Sequence, residues 1–262
     1  MRLLIPRTLI RRHSCLPKFS VQARLSSSVD DAEIKKFGEI KESWWDSRSS
    51  KGAAPLHSMN ITRVKYITDH LHQPIKGLKC LDVGCGGGLL CESLARLEGD
   101  VMGIDPSQEN INVAREHAAG DNLTRGIDYQ AKTVEELDSE GVFDLVCALE
   151  VLEHVNDVNG FIKSLARQVK PGGTIAISTI NKTPKSFALA IVAAEYIAGL
   201  VPRGTHDWNK FIPPEEVNKA LSLSSIDVVD QSGMVYNPFC DRWHLDQGDM
   251  DVNYILVGRK HI

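Results

Sequence analysis

Apolar positions along the middle of the chain fall into two alternating rhythms. Short runs that are apolar throughout or at every second place lie at Lys79–Val83, Asp100–Asp105, Ile127–Ala131, Val142–Ala148 and Thr174–Ile180. Each of these reads as a strand, and Val142–Ala148, apolar on both faces, reads as a central one. Between them, apolar residues return every third or fourth place. After the first strand come Leu89, Leu90, Leu94 and Leu97 with Arg96 and Glu98 outward; after the second, a helix runs from Pro106, taken as its first turn, to about His117. After the fourth come Phe161, Ile162, Leu165, Ala166 and Val169, stopping at Lys170-Pro171-Gly172-Gly173. Strands alternating with helices at this pitch predict an α/β fold: a mostly parallel sheet, right-handed crossovers, helices on both faces and ligands at the strand carboxyl ends. The last two runs, Ile226–Val235 and Asn253–Arg259, have no helix between them and predict an antiparallel edge. Ahead of the sheet, Ala32–Trp45 carries Ile34, Phe37, Ile40 and Trp44 on one helical stripe, and Met59–Ile67 begins another helix. The first reads either as a lid over the ligand site or as a surface helix packed on the sheet.

The turn between the first strand and its helix, Asp82-Val83-Gly84-Cys85-Gly86-Gly87-Gly88, carries the candidate chemistry. Glycines remove β-carbons where backbone must approach a ligand, and they leave amide N–H groups at a helix N-terminus. A dinucleotide loop of the form G-x-G-x-x-G asks for Gly or Ala at its third place. Counting from Gly84 that place is Leu89, and counting from Gly86 it is Cys91, so a pyrophosphate is poorly provided for. Asp82, just before the turn, suits a cationic amine instead. Asp105, at the end of the second strand and about 20 residues past the loop, stands where an acid pairs with ribose hydroxyls.

With LDVGCGGGLL and GIDP, the stretches EVLEHV at 150–155, QVKPGG at 168–173, STINKT at 178–183, VPRGTHDW at 201–208 and YNPF at 236–239 resemble the ubiquinone-biosynthesis O-methyltransferases. The likeness runs from about residue 33 to the C-terminus, and the later stretches are more specific than the glycine loop, which many class I methyltransferases share. It implies a Rossmann-like class I methyltransferase domain over residues 30–262, with a seven-stranded sheet and an antiparallel edge strand. It implies S-adenosylmethionine as methyl donor, held by Arg63, Asp82, Gly84, Gly86, Asp105 and Leu149. Without the likeness Arg63 would read as part of a solvated face.

Glu150, Glu153 and His154 follow the fourth strand on the same rim as the glycine loop. On a helical turn their i, i+3, i+4 spacing shares a face, and two carboxylates with an imidazole can bind a divalent ion. The competing reading is a metal-free Glu-His pair in which His154 is a base or a core residue. The resemblance implies that the three are magnesium ligands; the histidine would equally accommodate zinc or manganese. His154 is the candidate catalytic residue, either holding that ion or taking a phenolic proton.

Composition adds the surroundings. Residues 1–29 carry Arg2, Arg7, Arg11, Arg12, Lys18 and Arg24, repeated serines and no acid, the make-up of a mitochondrial transit peptide. Without those six charges the formal net charge goes from −4 to −10, so the remaining domain has no basic field for nucleic acid. Cysteines at 15, 80, 85, 91, 147 and 240 form no C-x-x-C pair and read as reduced and packed. Between Lys182 and Thr205 lies Ser186–Leu200, apolar nearly all round, too short to span a bilayer and flanked by basic residues. It reads either as an interfacial membrane helix or as a buried core helix. The resemblance implies as partners a polyprenylated catechol substrate, the matrix side of the mitochondrial inner membrane as a peripheral protein, and a multi-subunit ubiquinone-biosynthesis complex. The rival functions are another small-molecule O-methyltransferase, a nicotinamide-dependent oxidoreductase and a non-catalytic assembly subunit. The role of His206 stays open.

Overall fold

The computed structural model describes residues 28, 33–34, 38, 41–46, 53–191 and 207–262. Five strands in chain order, β1 (Lys79–Val83), β2 (Asp100–Asp105), β3 (Asp128–Ala131), β4 (Phe143–Leu149) and β5 (Val169–Ile180), pair in parallel. Helices α1 (Ala54–Asp69), α2 (Leu89–Arg96), α3 (Gln108–Ala119), α4 (Val158–Gln168) and α5 (Pro214–Leu223) cover the sheet. The last strands are β6 (Ile226–Asn237), β7 (Arg242–Asp246) and β8 (Asn253–Lys260), and the sheet order is β3-β2-β1-β4-β5-β8-β6-β7. β8 runs antiparallel to both β5 and β6.

Alternation along the central strands sends successive side chains to opposite layers. Leu81, Val83, Val146 and Ala148 face one layer with Phe161, Ile162 and Leu165 of α4 and Val217 and Leu221 of α5. Cys80, Leu145 and Cys147 face the other with Tyr66 and Ile67 of α1, Leu94 of α2 and Ile111 of α3. A fully buried leucine contributes about 2 kcal/mol, so two such layers hold the strand ends in place and leave the loops on the carboxyl rim to differ.

The expected fold class is present, with an eighth strand among the described residues. β7 was not legible because its residues are exposed apart from a half-buried Trp243, so no alternation marks it. Its contacts are tertiary: Trp243 Nε1 donates to Ser58 Oγ at 3.1 Å, and Thr62 Oγ1 donates to the Trp243 carbonyl at 3.0 Å, both on α1. Pro106 stands before α3, which begins at Gln108 with Ser107 as its cap, the Ser107 hydroxyl accepting from Asn110 N. The segment Lys170–Gly173 does end the preceding helix, yet it lies inside β5. There the register with β4 shifts between Phe143 and Leu145, and Gly172 takes φ 73°. Four cysteines, 80, 85, 91 and 147, are free and buried as expected, whereas Cys240 is exposed at the β6–β7 turn. Of Ser186–Leu200 only the start is described, and there Phe187 and Leu189 are 47% and 48% exposed, against a core position for that part. The remainder of that stretch, with His206, lies outside the described residues, as do residues 1–27 of the basic leader.

Candidate functional site

The carboxyl ends of β1, β2 and β4 meet at one rim. Amides of Gly84 and Cys85 donate to the Ile104 carbonyl at 2.8 and 3.0 Å, tying the glycine loop to β2. Gly84, Gly86 and Gly88 have φ of 72°, 51° and 89°, a region in which a β-carbon is strained. Packing demands glycine here as well. A β-carbon on Gly84 would stand 2.6 Å from Val151 Cγ2, one on Gly86 or Gly87 would strike the Trp44 indole, and one on Gly88 would strike the Tyr129 hydroxyl.

Asp105 is buried and draws three donors: Gly86 N at 3.0 Å, Ser107 N at 2.9 Å and Asn110 Nδ2 at 3.2 Å. Burial raises its carboxyl pKa, and those hydrogen bonds oppose the rise. Asp82 lies beneath the loop, accepting from Cys91 Sγ at 3.2 Å. Burial pushes it up to about 7; Cys91 and the nearby Arg63 charge act the other way. Leu149 ends β4 half-buried against the α1–α3 layer.

Arg63 is 5% exposed, so the solvated-face reading is wrong: α1 turns this residue toward the rim. Its Nη2 stands 3.0 Å from Glu150 Oε1, an ion pair by distance. The pair is off the hydrogen-bonding direction, and both Nε and Nη2 are buried without a hydrogen-bond partner. Unpaired buried donors of this kind cost stability unless a ligand takes them.

Glu150 accepts from Ser178 Oγ at 2.7 Å and Asn253 Nδ2 at 3.1 Å, and its own φ is 56°. The helical turn expected to carry all three candidate ligands is a 3₁₀ turn covering only Leu152–His154. Glu150 precedes it in a left-handed conformation, so the shared-face premise fails for that residue. Glu153 is buried and accepts from Thr179 Oγ1 at 2.6 Å; burial first and the Glu150 charge second push its carboxyl up to about 7. His154 Nδ1 lies 2.9 Å from Glu33 Oε2. Among the described residues no group of three His, Cys, Asp or Glu side chains is drawn together to hold a metal. The donor types suit a divalent cation, but the three side chains turn to separate partners, and as folded they do not fit one.

Sequence reasoning missed the N-terminal segment's individual contacts. The Asn156 amide donates to the Ser28 carbonyl at 2.7 Å, and Ser28 Oγ donates to Glu135 at 2.7 Å. Trp44 Nε1 donates to Asn110 Oδ1 at 3.0 Å, Trp45 Nε1 donates to the Gly87 carbonyl at 3.0 Å, and Trp45 stacks on His117 with centroids 3.4 Å apart. Trp44, the end of the stripe expected over Ala32–Trp45, lies on the glycine loop within a 3₁₀ turn, Lys41–Trp45, while Phe37 and Ile40 of that stripe lie outside the described residues.

Comparison with known proteins agrees with this architecture. The family model described as "Methyltransferase domain" matches residues 81–177. The ubiquinone biosynthesis O-methyltransferase of Bradyrhizobium sp. (strain ORS 278) is 46% identical over 90% of this chain and 95% of its own length. That of Bradyrhizobium diazoefficiens is 47% identical over 91% and 96%. Among solved structures, magnesium protoporphyrin IX methyltransferase from Synechocystis PCC 6803 with bound SAH aligns at TM-score 0.59 and 20% identity, over 79% of this chain and 84% of that one. The PH0226 protein of Pyrococcus horikoshii OT3 aligns at TM-score 0.63 and 16% identity, over 86% and 98%. At these identities the structural likeness shows the fold.

Proposed function

The chain belongs to the family of ubiquinone biosynthesis O-methyltransferases and is an S-adenosylmethionine-dependent enzyme, and from that premise we propose that its acceptor is a catechol-type hydroxyl on a polyprenylated ring. The acceptors of this reading are a 3,4-dihydroxy-5-polyprenylbenzoate and a demethylubiquinol.

The observation that carries the site assignment is the buried, unsatisfied guanidinium of Arg63 beside the glycine loop. A planar cation with two open donors matches the carboxylate of an amino-acid-bearing donor. Asp82 beneath the loop suits the donor's ammonium, and Asp105 with Gly84, Gly86 and Leu149 bounds the nucleoside side. When the donor binds, its sulfonium supplies an electrophilic methyl group. The residues of the chain then have to orient a ring oxygen in line with that methyl and remove its proton. In this reading the phenolic O–H proton passes to His154, the oxygen lone pair forms the new C–O bond, and the S–C bond pair returns to sulfur as a thioether.

A divalent cation held by Glu150, Glu153 and His154 would lower the pKa of a ring hydroxyl, but those side chains would first have to leave Ser178, Asn253, Thr179 and Glu33. The deciding experiment is methyl transfer to a short-tailed catechol, with and without chelator. O-methylation of the catechol is expected, and its absence with intact donor binding sinks the acceptor assignment. A turnover lost to chelator and restored by magnesium supports the cation, and unchanged turnover removes it.

Membrane association belongs to the same reading. The basic leader, the apolar stretch inserted over 182–205 after β5 and the exposed Phe187 and Leu189 support a peripheral protein on the matrix face of the mitochondrial inner membrane.

A further inference from the structure

We propose that Glu33, in the N-terminal segment, is the positioning residue for His154. The inference rests on the assignment of His154 to the transfer site made above.

Glu33 is 121 residues from His154 in the chain, yet its Oε2 lies 2.9 Å from the imidazole Nδ1. Both side chains are largely shielded, 20% and 14% exposed, so the pair is screened less than a surface contact. An ionised carboxylate only accepts hydrogen bonds, so the proton of this bond sits on Nδ1. That assignment fixes the tautomer: in the neutral ring Nε2 then carries the lone pair. A histidine that must receive a proton from substrate needs that nitrogen basic and its ring held at one angle. A carboxylate behind the far nitrogen supplies both. The two carboxylates nearest in the chain are committed elsewhere. Glu153, the adjacent residue, is turned to Thr179, and Glu150 is engaged by Ser178, Asn253 and Arg63.

The second Glu33 oxygen faces Lys210 Nζ at 3.9 Å, in the segment leading to α5. The carboxylate is thereby held from two sides. Its own segment is anchored at the rim before and after it. Ser28 is tied to Glu135 and Asn156, and Trp44 and Trp45 are tied to Asn110, Gly87 and His117. The segment that covers the donor loop therefore also delivers the group that orients His154.

The test uses the full chain with Glu33→Ala, Glu33→Asp and His154→Ala. Nitrogen-edited NMR of the imidazole reads the tautomer directly. In the unmodified protein the Nδ1–H form of His154 should dominate, and in Glu33→Ala it should give way to a mixture. Turnover of Glu33→Ala should fall at least about tenfold with donor affinity within twofold, Glu33→Asp should recover part of the loss, and Glu33→Ala should add little in the His154→Ala background. If His154→Ala is impaired while Glu33→Ala keeps both its tautomer and its turnover, this inference alone is overturned. If His154→Ala turns over normally, the role of His154 falls and takes the positioning role with it. Should Glu33→Ala fold poorly, Glu33→Leu keeps the bulk without an acceptor, and its imidazole signal decides in the same way.

Discussion

Arg63 shows how far a single residue departs from its local reading. Its charge alone suggests solvent, yet Met59 stands four places before it and Tyr66 and Ile67 three and four after, so it shares the buried stripe of α1 and meets Glu150 at the rim. Replacing it by Gln removes the fork that would hold the donor carboxylate and leaves Glu150 without its cation. Charge-assisted hydrogen bonds are worth about 2 kcal/mol, so donor affinity by calorimetry should weaken by about thirtyfold; an unchanged affinity would place the donor elsewhere. Asp82 gives a pH dependence of definite sign. Its folded pKa, about 7, lies above the ordinary value of 3.8, so between those limits the native state binds the proton and the unfolded state has released it. Without donor, the contribution of Asp82 is therefore favourable at low pH and is lost as pH rises from about 4 to about 7. A donor cation favours the ionised form, so donor affinity should rise over the upper part of that window. Melting temperatures of Asp82→Asn should be flatter across it, and calorimetry at pH 6 and pH 8 should give a smaller affinity difference than for the unmodified chain. Asp105 was legible from spacing alone because it closes a strand; Arg63 was passed over because a charged side chain reads as solvated, although Met59, Tyr66 and Ile67 place it on an apolar stripe.

At the scale of elements, strong periodicity translated well and short irregular pieces did not. β1 through β4, α2, α3 and α4 lie where their apolar rhythm puts them, within a few residues, and β5 begins earlier, at Val169 instead of Thr174. The expected helical face over Glu150, Glu153 and His154 became a left-handed residue followed by a 3₁₀ turn. The chain leaves β4 with the Glu150 amide donating to the Ser178 carbonyl, and that bond to β5 overrides helical spacing. Glycine-loop geometry predicts a large effect of one atom: Gly88→Ala combines a φ of 89° with a collision against Tyr129 and should cost about 2 kcal/mol or more. A lowered denaturation midpoint at unchanged slope would read it. The N-terminal segment makes the complementary prediction. Trp44 covers Gly86 and Gly87 and reaches Asn110, which itself holds Asp105. Trp44→Ala should weaken donor binding by about tenfold while the donor-free melting temperature moves little; tighter binding would mean that the indole blocks the cradle instead of lining the donor.

Across the whole molecule, the parallel strands present their carboxyl ends, the glycine loop and the acidic turn on one rim, and the apolar stretch after β5 leaves from that same rim. A substrate with an apolar tail and a polar ring would meet both without crossing the domain. Deleting residues 187–200 should abolish liposome binding, measured by flotation, while far-UV circular dichroism of the domain stays close to that of the full chain; retained binding would assign the membrane contact to another part of the surface. The alternating pattern of apolar residues, the glycine turn and the acid after β2 by themselves determined the sheet, its winding and the rim at which a nucleoside-bearing donor belongs, because those features depend on contacts within a few residues and on burial that repeats along an element. Only the tertiary structure decided that Arg63 meets Glu150, that Glu150 leaves the helical turn, that β7 adds to the edge and that Glu33 reaches His154. Each of those depends on segments far apart in the chain meeting in space, and a pairing between distant residues leaves no periodic trace in either of them.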